Sequence, residues 1–201
     1  MRMIKKIFQL FIFFSLFAAA AEEVNLLKDP AVSVPEGGNW FLSTTTREVF
    51  ELEKDPATGF IYLASTGADY SGYLCQYVKV KPNYRYRFDV QLRHLNGRAL
   101  LWVKAFDKNK NILHYDRRKY LISSADNPLV PDFVSTDALQ GSGSTDWRTV
   151  SLEVDTVKAA NDTEEISYLR VGSGPYFSVA KLWYRHFSFV ELGPVEKENE
   201  K

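Results

Sequence analysis

The stretch YRYRFDVQLRHLNGRALLWVKAFDKN, residues 84 to 109, decides the fold. It reads as two β-strands around an Asn-Gly turn, because apolar and polar residues alternate with the period of a strand on either side of Asn96 and Gly97. In the first, Tyr86, Phe88, Val90 and Leu92 share one face, while Arg85, Arg87, Asp89, Gln91 and Arg93 share the other. The former is a core face. The latter carries more forked hydrogen-bonding groups than solubility demands, and the partner strand adds Trp102 and Lys104 to it.

The same rhythm extends outward. Short alternating segments recur at WFLSTT, EVFELE, FIYLAST, YLCQYVKVK, RYRFDVQLR, ALLWVKAFD, ILHYDRR, RTVSLEV, SYLRVGS and LWYRHFSFVEL. Turn chemistry separates them, at DPATG, KPN, NG, DKNKN and GSGSTD, and from residue 24 onward no helical periodicity outlasts about three turns. The expected fold is all-β, a two-sheet antiparallel β-sandwich of jelly-roll type with about ten strands. Residues 119 to 146 interrupt the pattern with prolines and glycines. Because Tyr120, Leu121, Leu129, Val130 and Phe133 can pack, this segment is expected to be a long ordered loop lying as a flap on the sandwich.

The chain opens with Arg2, Lys5 and Lys6, an apolar run from Ile7 to Phe17 and the alanines 18 to 21, which is the pattern of a secretory signal peptide. The run is shorter than the roughly 20 residues that span a bilayer, so residues 1–21 are expected to be removed, with no stable membrane insertion afterwards. Residues 22–193 then form one domain, and the charged residues 194–201 a disordered tail. The implied address is secreted or periplasmic. The short, Phe-rich signal is bacterial in character, which makes the glycosylation pattern Asn161-Asp162-Thr163 incidental. Without Arg2, Lys5 and Lys6 the balance is 22 basic to 25 acidic residues, a net charge of about −3 that argues against a nucleic-acid partner. Cys75 is the only cysteine, so no internal disulfide forms.

The order of signals resembles carbohydrate-binding modules of the family 4, 9 and 22 type, which have a galactose-binding-domain-like jelly roll. The matching residues are Asn25 and Leu26 at the start; Gln76, Val78, Val80, Pro82 and Tyr86; Trp147 and Arg148; and the closing run Trp183 to Phe189. The resemblance implies a last strand returning beside the first, and a glycan laid on the concave outer face of one sheet. Where such modules hold a structural calcium with an acidic residue near the start and an aspartate in the final strand, this chain has Ser33 and Arg185-His186. Hard oxygen ligands are missing there, so no metal and no cofactor is expected.

Carried across strands by parity, the ligand face is expected to collect Arg87, Asp89, Gln91, Trp102, Lys104, Ser151, Tyr168 and Arg170. Sugars offer hydroxyls at the rim and C–H patches on the ring faces, so planar multi-donor groups beside aromatic plates suit them. Asp89 and Gln91 would bridge hydroxyl pairs, Arg87 and Arg170 would fork to vicinal hydroxyls or a uronate carboxylate, and Trp102 would stack. The competing reading is a solvated face with charges paired across strands, and Trp102 packed beneath the flap.

Catalytic patterns are weak. GSGST and VGSGP read as turns, His94, His114 and His186 lack metal spacing, and Cys75 reads as a buried small hydrophobe. Asp89 with Glu153 is the one carboxylate pair placed on a shared face. The function expected is a secreted non-catalytic glycan-binding domain for a polysaccharide or oligosaccharide, compatible with a protein partner in a polysaccharide-degrading complex. A cell-envelope structural or adhesion domain binding protein is one alternative. A carbohydrate-active hydrolase or lyase is the other.

Overall fold

A computed structural model describes residues 23–34, 37–95, 97, 99–113, 146–158 and 164–196, excepting the His94 side chain. The expected signal segment, the expected flap up to residue 145, and residues 197–201 of the expected tail lie outside the described residues. Nine strands are described: β1 Phe41–Ser43, β2 Phe50–Lys54, β3 Ile61–Ser65, β4 Tyr73–Lys79, β5 Tyr84–Leu95, β6 Ala99–Phe106, β7 Arg148–Asp155, β8 Tyr168–Pro175 and β9 Ala180–Pro194. They form a four-stranded sheet in the order β1-β4-β8-β6 and a five-stranded sheet in the order β2-β3-β9-β5-β7. Every pairing is antiparallel, which makes the molecule the expected β-sandwich. Of the expected strand ILHYDRR only Ile112 and Leu113 are described, and Ile112 makes an isolated bridge to Phe106.

Alternation builds the core. Tyr86, Phe88, Val90 and Leu92 of β5 are buried against Leu74, Val78, Leu101, Val103, Leu169 and Val171 of the other sheet's inner face. β5 is paired along its length by β9 on one side and from Arg85 to Leu92 by β7 on the other, which leaves β6 at most the three residues Arg93 to Leu95 of one edge. The expected hairpin is therefore absent: β6 pairs with β8 in the opposite sheet. Leu95 to Ala99 supplies about 13 Å of extended chain, enough to cross the roughly 10 Å between packed sheets. Gly97 marks the crossing with a φ of 62°, and a Cβ there would sit 2.3 Å from the Val179 carbonyl oxygen. Only glycine fits.

The closing strand contains a bulge. Tyr184 lies opposite Leu92 and His186 opposite Gln91, so Arg185 is an extra residue in β9. Tyr184 and Phe187 consequently both face the core, where Phe187 and Phe189 are fully buried, while Arg185 and His186 are exposed. Pairing continues through Pro194, and the Val195 amide donates to the Asn83 carbonyl, so strand structure reaches into the expected tail.

The N-terminal segment fastens the two sheets together. Asn25 donates from Nδ2 to the Phe187 carbonyl at 3.0 Å and accepts from the Phe189 amide at 3.0 Å. Three residues on, the buried Gln76 amide of β4 accepts from Lys28 N and donates to Lys28 O, each at 2.8 Å. Beyond it Asp29 accepts from Ser33 N at 2.9 Å and Ser33 Oγ at 2.7 Å, and the Val34 amide adds a third bond. Burial opposes ionisation there, but these hydrogen bonds win and hold the Asp29 carboxyl below its ordinary value.

Two outcomes follow. Phe187→Ala should cost about 3–5 kcal/mol in urea or thermal denaturation, the usual loss for emptying an aromatic site in a packed interior, and a near-neutral result would contradict the placement of β9. With Ser33 folded back onto Asp29 and Arg185 exposed in the bulge, chelator should leave the melting temperature unchanged. A drop of several degrees would reveal an ion bound to the native state.

Candidate functional site

Division of β5 and β6 between sheets splits the expected ligand face in two. Arg87, Asp89, Gln91 and Ser151 lie on the outer face of the five-stranded sheet, and Trp102, Lys104, Tyr168 and Arg170 on the outer face of the four-stranded sheet. The single face expected from parity is thus corrected: period two says which residues of a strand share a side, and nothing about which sheet the strand joins.

On the five-stranded side Arg85 and Arg87 are neutralised by carboxylates. Arg87 donates to Asp89 at 3.0 Å and to Glu23 at 2.6 Å, and Arg85 clasps Asp155 at 2.7 and 3.0 Å. Gln91 sits between Thr149 and His186, and Glu153 lies opposite Arg87. This half of the expected site has the form of a solvated sheet face with cross-strand pairs. Next to it is an aromatic cluster that alternation did not reveal, in which Tyr62 and Trp183 are buried beside Phe60, Leu95 and Trp147. The bulge at Arg185 turns Trp183 to the outside, against the strict alternation that would group it with Phe187. Its polar atoms are engaged: Trp183 Nε1 donates to Asp55 at 2.6 Å and the Tyr62 hydroxyl to Glu53 at 3.1 Å. The Lys181 ammonium lies 3.5 Å from the Tyr62 ring centre, and Arg93, whose Nε has no partner, lies 4.5 Å from that of Trp183.

The four-stranded side differs. Register sets its outward residues in rows: Tyr73 and Leu100 flank Gly174; Phe41, Cys75, Gly172 and Trp102 form the next row; then Tyr77, Arg170 and Lys104; then Lys79, Tyr168 and Phe106. Gly172 lies within β8, where VGSGP had read as a turn. A Cβ on it would come 2.7 Å from Cys75 Sγ and 3.1 Å from the Trp102 ring. The missing side chain lets the indole lie down on the sheet. Trp102 is buried, edge-on to Tyr73 at 5.3 Å between ring centres and with the Arg170 guanidinium 4.9 Å from its own ring centre. The expected stacking plate is therefore the floor of the face, and the half-buried aromatic groups above it are Phe41, Tyr73, Tyr77 and Tyr168. Phe41 stacks on Tyr77 at 5.6 Å, and Phe106 meets Tyr77 edge-on at 5.1 Å.

Cations sit among these rings. Arg170 also approaches the ring centres of Phe106 at 5.3 Å and Tyr77 at 5.7 Å, and Lys110, from the loop after β6, those of Tyr77 at 5.0 Å and Tyr168 at 5.6 Å. Burial first, and repulsion from Arg170 second, lower the Lys104 ammonium from its ordinary value. The Nε of Arg170 and the Nε1 of Trp102 are buried without hydrogen-bond partners. Burial also pushes the Cys75 thiol up to about 12, which makes it the inert small hydrophobe expected. Trp40 is buried on Phe187, ring centres 4.5 Å apart, and donates from Nε1 to the Asp29 carbonyl at 2.8 Å. Among the described residues no three His, Cys, Asp or Glu side chains gather to hold a metal ion.

No family model matches the sequence. No curated protein matches it either. Solved structures do share the fold. The enzymatically active domain of tailspike protein 4 from bacteriophage CBA120 superposes with a TM-score of 0.56 at 11% identity over 84% of this chain, which spans only 21% of that one. A putative sugar binding protein from Bacteroides thetaiotaomicron gives 0.50 at 12% identity, covering 84% of this chain and all (100%) of the other. The CBM22-1 xylan-binding domain of Paenibacillus barcinonensis gives 0.47 at 11% identity, over 85% of this chain and 96% of its own. What this chain shares with the tailspike domain and the putative sugar binding protein is the two-sheet β-sandwich fold.

Proposed function

We propose that the outer face of the β1-β4-β8-β6 sheet holds a polysaccharide or oligosaccharide, and that the protein is a secreted or periplasmic, non-catalytic glycan-binding domain. The observation that carries this reading is the row Tyr77, Arg170 and Lys104, with Tyr168 in the next row and the Trp102 ring against Arg170: aromatic surface interleaved with half-buried cations. Ring faces of sugars meet the aromatic groups, and their hydroxyls meet the guanidinium and ammonium N–H groups. Fold likeness to a putative sugar binding protein agrees with it. The signal-like residues 1–21 support the address. The non-catalytic half of the reading rests on charge: among the described residues, β1, β4, β6 and β8 contain no Asp or Glu, so these strands supply no carboxylate for acid or base work. Asp89 and Glu153 belong to the opposite outer face, where Asp89 is held by Arg87.

Titration calorimetry of the purified protein against a panel of neutral and acidic polysaccharides tests the proposal. Tyr168→Ala should weaken binding by about 2 kcal/mol, the level of an interface hot spot, with little change in melting temperature. Trp102→Ala should instead destabilise the fold by about 3–5 kcal/mol, because the indole fills the floor. Wild-type affinity in Tyr168→Ala, or loss of binding on changing Arg87 and Asp89 instead, would refute the assignment of the face.

A further inference from the structure

The geometry points to an anionic glycan, one bearing carboxylate or sulfate groups, as the ligand of the four-stranded face. This rests on the assignment of that face to glycan binding and adds the substrate class.

The argument is a contrast between the two outer faces. Lys79, Lys104, Arg170 and the loop residue Lys110 all attend the four-stranded face, and its strands contribute no acidic side chain. None of these four cations makes a hydrogen bond or ion pair with any described protein group. The five-stranded side also sets two cations, Arg93 and Lys181, over rings, but its strands carry Glu51, Glu53, Asp89, Glu153 and Asp155, and Arg85 and Arg87 both have carboxylate partners at 3.0 Å or less. Among the described residues, the strands of the four-stranded face place no carboxylate beside these cations.

Placement of the cations makes the arrangement costly without a ligand. Lys104 and Arg170 are direct cross-strand neighbours, and like charges in that relation repel. Both are half-buried, so solvent screens them less than it would at an open surface. The rings of Trp102, Tyr77 and Phe106 offset part of the cost through their negative faces, but a ring quadrupole is weaker than a counter-ion. An anion on the face would take a charge-assisted bond from the guanidinium fork and accept from the ammonium groups beside it. The surrounding aromatic groups require that this anion belong to something with apolar ring faces. A uronate or sulfated sugar meets both demands, and a flexible anionic peptide meets only one.

The test is calorimetry of the purified protein against de-esterified polygalacturonate and a sulfated galactan, with unsulfated galactan and xylan as neutral matches and polyglutamate as an anionic polymer without sugar rings. At least one charged polysaccharide should bind about tenfold or more tightly than either neutral polymer, and raising NaCl from about 50 to about 500 mM should erode that preference severalfold. The two charged arms distinguish carboxylate from sulfate. Lys79→Gln and Lys110→Asn remove charge without touching the core, Asn being suited to the left-handed backbone at position 110 (φ 62°). Each should weaken charged-polysaccharide binding about threefold while leaving the melting temperature unchanged. Equal affinity for charged and neutral glycans overturns the inference and leaves glycan binding standing, whereas no binding to any glycan removes both. Acidic preference unaffected by either variant, or binding to polyglutamate as tight as to the polysaccharides, also overturns it.

Discussion

The short passage from Leu95 to Ala99 is the constraint on which the molecule turns. β5 has partners along most of both edges, so the chain leaving it has little edge left for a hairpin and crosses to the other sheet. Gly97 permits the crossing by accepting a positive φ against the Val179 carbonyl, and the link is long enough to cross the core and too short to wander. Once β5 and β6 lie in different sheets, their outward residues look away from each other. Two outer faces with separate chemistry are the result.

Their difference is electrostatic before it is geometric. On the five-stranded side, Arg87 is shared between Asp89 and Glu23, and Arg85 is paired with Asp155. Exposed pairs of this kind contribute little to stability, but they occupy Arg85 and Arg87 with carboxylates of the protein itself. On the four-stranded side the same chain sets Arg170 and Lys104 next to one another with rings as their neighbours. A folded protein tolerates such repulsion only where other contacts outweigh it, and such tolerance concentrates at functional sites.

Alternation made the sandwich legible, because a half-buried strand has to write its buried side into every second residue: Tyr86, Phe88, Val90 and Leu92 are an example, all inward and all buried. Sheet membership was not legible. It depends on which strand edges remain open, and that is settled by pairings between residues as distant as Val90 and Phe187. Four of the expected site residues, Trp102, Lys104, Tyr168 and Arg170, do share a face, whereas Arg87, Asp89 and Gln91 were assigned to it by a parity that cannot see across a sheet change. Phe41 and Tyr77 were missed although both lie in expected strands, since nothing local marks β1 and β4 as neighbours of β8. Trp183 was obscured by a single extra residue, Arg185, which reverses the parity of β9 midway.

Burial of Trp102 also changes what kind of binding face is proposed. A freely exposed indole would offer a plate but would have to give up its mobility on stacking a sugar. Here the ring is pressed onto Gly172, closed in by Tyr73 and topped by Arg170, so the protein's own contacts hold the guanidinium over it. Arg170 is in turn bracketed by Tyr77 and Phe106, which narrows the directions its N–H groups can take. A donor whose direction is already settled loses less entropy per hydrogen bond than a free lysine on the same sheet. Trp102 therefore acts through Arg170: the indole that sequence parity suggested as the contact surface is better understood as the support that aims the residue above it.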